Sequence, residues 1–245
     1  MTSVALPRND WLRSILRRIA NQRQYMQQYG VGNAVVNSGA QVYGARAIAP
    51  AGPATIVNCT FNAPDGTLLT AYPWTDPADV RPGGNQWVEY VGGFKCVGNF
   101  AVVKAEFSAR PEQVIETGYS TGITLMCDAY FGTSATSWQS GFIIRALDSN
   151  NYWKLCVIQT AGFPIAIIER TGGIDTNRAG GATGAVVGNW YTMTAVLTGN
   201  IMSLTVNGVM KSYTSAQHVA NTKHGMRGEF SAGWWRQDNF KVTVP

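Results

Sequence analysis

Chemistry requires side chains that trade protons, hold a metal or attack an electrophile, and this 245-residue chain spaces few of them for it. General acid and base work on two carboxylates needs both aimed at one point. The closest acidic neighbours are Asp76 with Asp79, in a proline-rich loop, and Glu112 with Glu116, beside Pro111. Neither pair has a strand-like context, so both read as solvated loop carboxylates and the catalytic set is empty. His218 and His224 lie six apart in "SAQHVANTKHG", a spacing that fits no metal-binding helix, and are expected at the surface. The stretch "GGIDTNRAGGATG" is glycine-rich, but it precedes a strand signal instead of the helix N-terminus that a phosphate cradle needs. Cys59, Cys96, Cys127 and Cys156 sit singly in apolar runs, without the close pairs of a zinc or redox motif, and are expected as reduced core thiols. No metal-ligating set emerges.

What remains is aromatic. Flat rings stack on the apolar faces of pyranose sugars, with Asn, Asp or Arg beside them for the hydroxyl groups. Trp138, in the polar loop "GTSATSWQSG", is the foremost candidate for an exposed ring. Trp234 and Trp235 follow, because neighbours on a strand point to opposite faces and one of them faces outward. Arg236 adds a polar group, so Trp138, Trp235 and Arg236 form the expected ligand contacts. Trp153 and Trp190 sit within hairpin strands and are expected in the core, whereas Tyr72 and Trp74, in "AYPWTDP", either cap the fold or pack against another protein.

The elements that must carry these groups are strands. Few charges and abundant glycine and aromatics are the composition of an ordered β protein. From Thr55 onward strand signals recur at 55–61, 86–91, 99–108, 121–131, 140–147, 151–159, 164–170, 190–198, 201–206 and 239–244. Hairpin turns are expected at Asp148 to Asn151, Gly199-Asn200 and Asn207-Gly208.

Residues 9–30 differ. Asn9 or Asp10 can cap a helix that Gly30 ends, and Leu12, Ile15, Ile19, Gln22, Met26 and Tyr29 recur at alternating spacings of three and four. That seam predicts an α-helical, coiled-coil-like arm that self-associates, as a trimer because Ile and Leu mix at both seam positions. Residues 31–53 read as a linker, with a short strand around Gln41 to Tyr43, and residues 54–245 as the domain. The net charge of +5 belongs to residues 1–53, where six arginines meet only Asp10. The body is neutral, which argues against nucleic-acid binding. No run approaches a membrane span, and no charged n-region with an apolar h-region opens the chain. The expectation is synthesis in the cytoplasm without membrane insertion.

The blocks "CTFNAPDGTLL", "NQWVEYVGGFKCVGNFAV", "SGFIIRALDSNNYWKLCVI", "NWYTMTAVLTGNIMSLTVNGV" and "GWWRQDNFKVTV" resemble, in order, those of the concanavalin A-like lectin/glucanase jelly roll, laminin-G-like branch. The resemblance implies an all-β, two-sheet sandwich, with Asp238 and Asn239 hydrogen-bonded and Phe240 in its core. The glucanases of that fold carry clusters such as E-x-D-x-x-E on one strand; none is present here, which implies a non-enzymatic domain. No cofactor is implied, except that calcium occurs in the family, with Asp65 and Asp238 as ligands by analogy only. A basic helical arm joined to such a sandwich also resembles minor tail proteins of tailed bacteriophages. That implies a virion protein, released by lysis, whose partners are other virion proteins, copies of itself and a host-surface polysaccharide. The alternatives are a purely structural decoration or connector subunit, or a polysaccharide hydrolase of the same fold.

Overall fold

The computed structural model describes residues 53–98, 100–103, 111–132, 138–160, 162–228 and 236–245; the expected arm, with Leu12, Ile15, Ile19, Gln22, Met26 and Tyr29, lies outside them. Thr55–Val244 forms one compact unit. Its strands are β1 (Ala54–Cys59), β2 (Val88–Val91), β3 (Phe94–Val97), β4 (Phe100–Val103), β5 (Glu112–Glu116), β6 (Ile123–Phe131), β7 (Trp138–Asp148) and β8 (Asn151–Gln159). Then follow β9 (Ile165–Thr171), β10 (Ile174–Gly181), β11 (Asn189–Thr198), β12 (Ile201–Val206), β13 (Val209–Thr214), β14 (Lys223–Arg227) and β15 (Arg236–Val244). Two short 3-10 turns, Leu69–Ala71 and Pro82–Gly84, are the only helical elements among the described residues, and none of these is long and apolar enough to cross a membrane.

The strands make two antiparallel sheets. Sheet one runs β13-β12-β11-β6-β15-β4-β3, with β1 also on β15; sheet two runs β10-β9-β8-β7-β14-β5-β2. The expected two-sheet sandwich is what forms.

Sheet one follows the period-two rule for a half-buried strand. Along β6, Ile123, Leu125, Cys127, Ala129 and Phe131 are buried, while Thr124, Met126, Asp128 and Tyr130 face out. Along β11, Met193, Ala195 and Leu197 point in, which leaves Trp190, Thr192, Thr194 and Val196 on the outer face. On β12 the inward set is Met202, Leu204 and Val206, with Ser203 and Thr205 outward.

The central strands of sheet two, β5, β14, β7 and β8, are buried on both faces, while its edge strands β10 and β2 are largely exposed. Its inward row, Gln113–Met226–Phe142–Leu155–Ile167, crosses five strands. Phe142 packs 6.4 Å from Phe240 of sheet one, and Trp87 packs 5.1 Å from the same ring. Two outward rows, Glu112–Arg227–Gly141–Cys156–Ala166 and Val114–Gly225–Ile143–Lys154–Ile168, are also buried. β14 can pass this close to β5 because residue 225 is glycine: a Cβ there would collide with the Gln113 carbonyl and Val114 Cα.

Four expectations are corrected. "IDTNRAGG", residues 174–181 of the glycine-rich stretch, forms β10, an edge strand, because its backbone pairs with β9 despite the glycines. Glu112 is a buried strand residue, since β5 is closed between β14 and β2 and the carboxylate has cationic partners. His224 lies on buried β14, paired to both β5 and β7, and not at the surface. Trp190 falls on the outward parity of β11 instead of the core, whereas Trp153 is fully buried as expected. All four cysteines are buried, as expected of core residues.

Candidate functional site

The outer face of sheet one carries a continuous strip of aromatic and polar side chains. Its first cross-strand row sets Trp190, Tyr130 and Arg236 side by side on β11, β6 and β15, and the backbone register continues through residue 102 of β4 to Lys95 of β3. Trp190 is 41% exposed, a large value for a tryptophan in the middle of a sheet. Its ring leans on Phe100, with centroids 5.2 Å apart, and on Tyr130, at 5.6 Å. The Arg236 guanidinium lies 5.5 Å from the Phe100 ring centroid, within cation–π range. The indole is thus wedged by its neighbours while part of it stays in water.

The next row is Thr192–Asp128–Asp238. Two carboxylates directly opposite each other on adjacent strands repel, and here they share a donor. Asn239 takes the left-handed conformation at φ 53, which β-strand residues avoid and Asn tolerates. Its Nδ2 donates to Asp128 Oδ2 at 3.0 Å and to Asp238 Oδ2 at 3.3 Å, while its backbone N–H donates to Asp238 Oδ1 at 2.7 Å. The Thr192 hydroxyl donates to Asp128 Oδ1 at 2.6 Å. Burial pushes the Asp238 carboxyl above its ordinary value, and the charge of Asp128 adds to the rise. As the sequence resemblance implied, Asp238 and Asn239 are hydrogen-bonded and Phe240 is fully buried. Chemically, the strip offers an apolar ring edge beside carboxylate, amide, hydroxyl and guanidinium groups.

The outer face of sheet two holds a different cluster, buried and ionic. Glu112 accepts from the Tyr152 hydroxyl and the Arg227 guanidinium, and its Oε1 lies 3.8 Å from Lys154 Nζ. Lys154 donates to Asp175 Oδ2 at 2.6 Å, and Arg170 Nη1 donates to Asp175 Oδ1 at 3.0 Å. Around it pack Val114, Ile143, Ala146 and, on the far side, Ala166 and Ile168.

A third polar group joins strand ends. His224 Nδ1 accepts the Arg145 N–H at 3.2 Å, and Nε2 donates to the Tyr119 carbonyl at 2.8 Å. The Arg145 side chain donates to the carbonyls of Ser120, at 3.2 Å, and Gly199. Burial holds the His224 ring at a pKa of about 4.

Of the residues singled out from sequence, Arg236 belongs to the aromatic strip. Trp138 opens β7, its backbone opposite Gln159, and its side chain lies outside the described structure. Trp234 and Trp235 lie outside the described residues. Tyr72 and Trp74 cap the sandwich: Tyr72 is buried and donates to Asp79 Oδ2 at 2.8 Å, and Trp74 stacks 6.4 Å from Trp87. Trp190, Tyr130, Phe100, Asp128 and Thr192 were missed. The signal for four of them was the parity of "NWYTMTAVLT" and "ITLMCDAYF", whose small and apolar alternate residues fix the other set outward. Among the described residues no group of three or more His, Cys, Asp and Glu could hold a metal ion. Asp65 Oδ1 instead accepts the Gly98 N–H at 2.8 Å.

No family model matches the chain, and no curated protein matches it. Among solved structures it is similar to the carbohydrate binding module CBM66 from Bacillus subtilis, at 11% identity over 64% of this chain and 90% of that one, with a TM-score of 0.46. It is similar to the CBM2 module of the evolved Dit of Lactobacillus casei BL23 phage J-1, at 10% identity over 78% and 96% of the two chains, TM-score 0.49. For the galectin LEC-6 of Caenorhabditis elegans the figures are 20% identity, 53% and 88%, and 0.42.

Proposed function

We propose that the sandwich is a non-catalytic carbohydrate-binding domain that docks pyranose rings on the outer face of sheet one. One observation carries this reading: Trp190 is held half-exposed by Phe100 and Tyr130, with Arg236, Asp128, Asp238, Asn239 and Thr192 in adjoining positions. An aromatic ring fixed by its neighbours loses little side-chain entropy on binding, and the flanking groups suit hydroxyls of a sugar whose C–H face covers the indole. Trp138 and Trp235, named from the sequence, remain candidate contacts.

The wider reading is a bacteriophage virion protein of minor tail type. Residues 1–30 anchor and trimerise it through the seam Leu12 to Tyr29, residues 31–53 link, and the domain from residue 54 meets host-surface polysaccharide. The spacing of that seam and the concentration of positive charge in residues 1–53 support it.

The test is titration of the whole protein with a panel of cell-surface polysaccharides, read by tryptophan fluorescence and calorimetry. Trp190→Ala is expected to keep the fold and weaken binding roughly tenfold or more, about 1.4 kcal/mol. Folded protein that binds no glycan refutes the reading and leaves a purely structural virion subunit. Binding that is unchanged in Trp190→Ala moves the site off this face.

A further inference from the structure

The ionic cluster on sheet two holds an amine and a carboxyl group in contact, beside a second carboxylate; Lys154 and Glu112 are buried, while the Asp175 side chain stays 30% exposed at the sheet edge. Lys154 Nζ lies 2.6 Å from Asp175 Oδ2, and the lysine side chain is 1% exposed. At that separation the carboxyl carbon is within near-attack range of the nitrogen. Glu112 Oε1 stands 3.8 Å from the same nitrogen and is itself buried, held by the Tyr152 hydroxyl and the Arg227 guanidinium. Arg170 Nη1 occupies the other oxygen of Asp175, Oδ1, at 3.0 Å. The four groups thus supply a nucleophile, an electrophile, a proton carrier and a cation at the position where charge would build on oxygen.

We propose that Lys154 and Asp175 condense to an intramolecular amide, an isopeptide crosslink that fastens edge strand β10 to β8 across β9. Glu112 takes one proton from the Lys154 ammonium, and the neutral Nζ attacks Asp175 Cγ. Negative charge gathers on Oδ1 against Arg170. Nitrogen gives up a second proton, both protons reach Oδ2 through Glu112, and Oδ2 leaves as water while the C–N bond remains. Ammonium and carboxylate become amide and water, Glu112 ends as it began, and no oxidant, metal or cofactor is required.

The surroundings both favour and slow the step. Burial draws the Lys154 amine below its ordinary value, towards the nucleophilic form. Burial also acts to raise Asp175, but its contacts with Lys154 and Arg170 outweigh that and hold the carboxyl below its ordinary value. The reactive pair, neutral amine with protonated acid, is therefore the minor form, which suits a single turnover after folding and not a fast reaction.

Intact mass of the purified full chain decides the matter, followed by tryptic digestion of the denatured protein. The expected result is a mass lower than the sequence by one water, Lys154 left uncleaved, and a branched peptide joining the Lys154 segment to the one holding Asp175. Lys154→Arg and Glu112→Gln are expected at full mass. A wild-type chain at full mass overturns the proposal without recourse to any variant. So does loss of water accompanied by normal cleavage after Lys154.

Discussion

Acid should unfold this protein through one histidine before its carboxylates contribute much. His224 is fully buried on β14 with both ring nitrogens committed, Nδ1 accepting from the Arg145 N–H and Nε2 donating to Tyr119. A second proton on the ring would set two N–H donors against each other with no water to relieve them. Burial is the main cause of its low pKa; the Tyr119 carbonyl opposes the shift and the Arg145 charge adds to it. Unfolded, the ring takes its proton near 6.5; folded, only near 4. The unfolded state therefore binds more protons between these values. The stabilisation from a neutral ring is complete above pH 6.5 and is lost as the pH falls to about 4. Integrated over that interval the loss is about 3 kcal/mol, a large part of the stability of an ordinary domain. Urea unfolding followed by tryptophan fluorescence, repeated across this range, measures it. In His224→Gln the ring cannot titrate, so the stability gap between wild type and variant should shrink by about 3 kcal/mol from neutral pH to pH 4. Asp76, Asp148 and Glu116, whose pKa values are also lowered, contribute to both proteins and largely cancel in the difference. A gap that does not change with pH would refute the reasoning.

Gly225→Ala should cost about 3 kcal/mol or more in a thermal melt, because the added methyl meets backbone atoms of β5 that cannot move independently. Ile15→Asp combined with Ile19→Asp should turn a sedimenting trimer into a monomer with an unaltered circular dichroism signal from the strands; an unchanged mass removes the seam argument.

How much could be read from the sequence depended on how each strand is buried. β8 and β12 fall at the expected residues, and β6 and β11 within two, because one is a long apolar run and the others alternate between core and water. β5, β10 and β14 were not anticipated as strands. They are short, polar or glycine-rich, and their Glu, Lys and Arg are acceptable in the interior only through partners on strands far away in sequence, such as Glu112 with Arg227. Local pattern cannot supply those partners. The aromatic strip was half legible: Arg236 was chosen from its neighbourhood of tryptophans. Trp190 was assigned to the core although Met193, Ala195 and Leu197 already fixed its parity. Phe100 comes to Trp190 only because β4 and β11 lie in one sheet, three strands apart, a fact of topology.

The alternation of sheet one divides the molecule into a keel and a canvas. Thr124, Met126, Thr192, Thr194, Ser203 and Thr205 stand outward, and every contact they lose or gain stays on that side of the backbone. Mutational drift can therefore repaint this surface one position at a time while the interior keeps its shape. The central strands of the other sheet, committed on both sides, have no such latitude. Variants of this chain that meet different targets should carry their differences on one face.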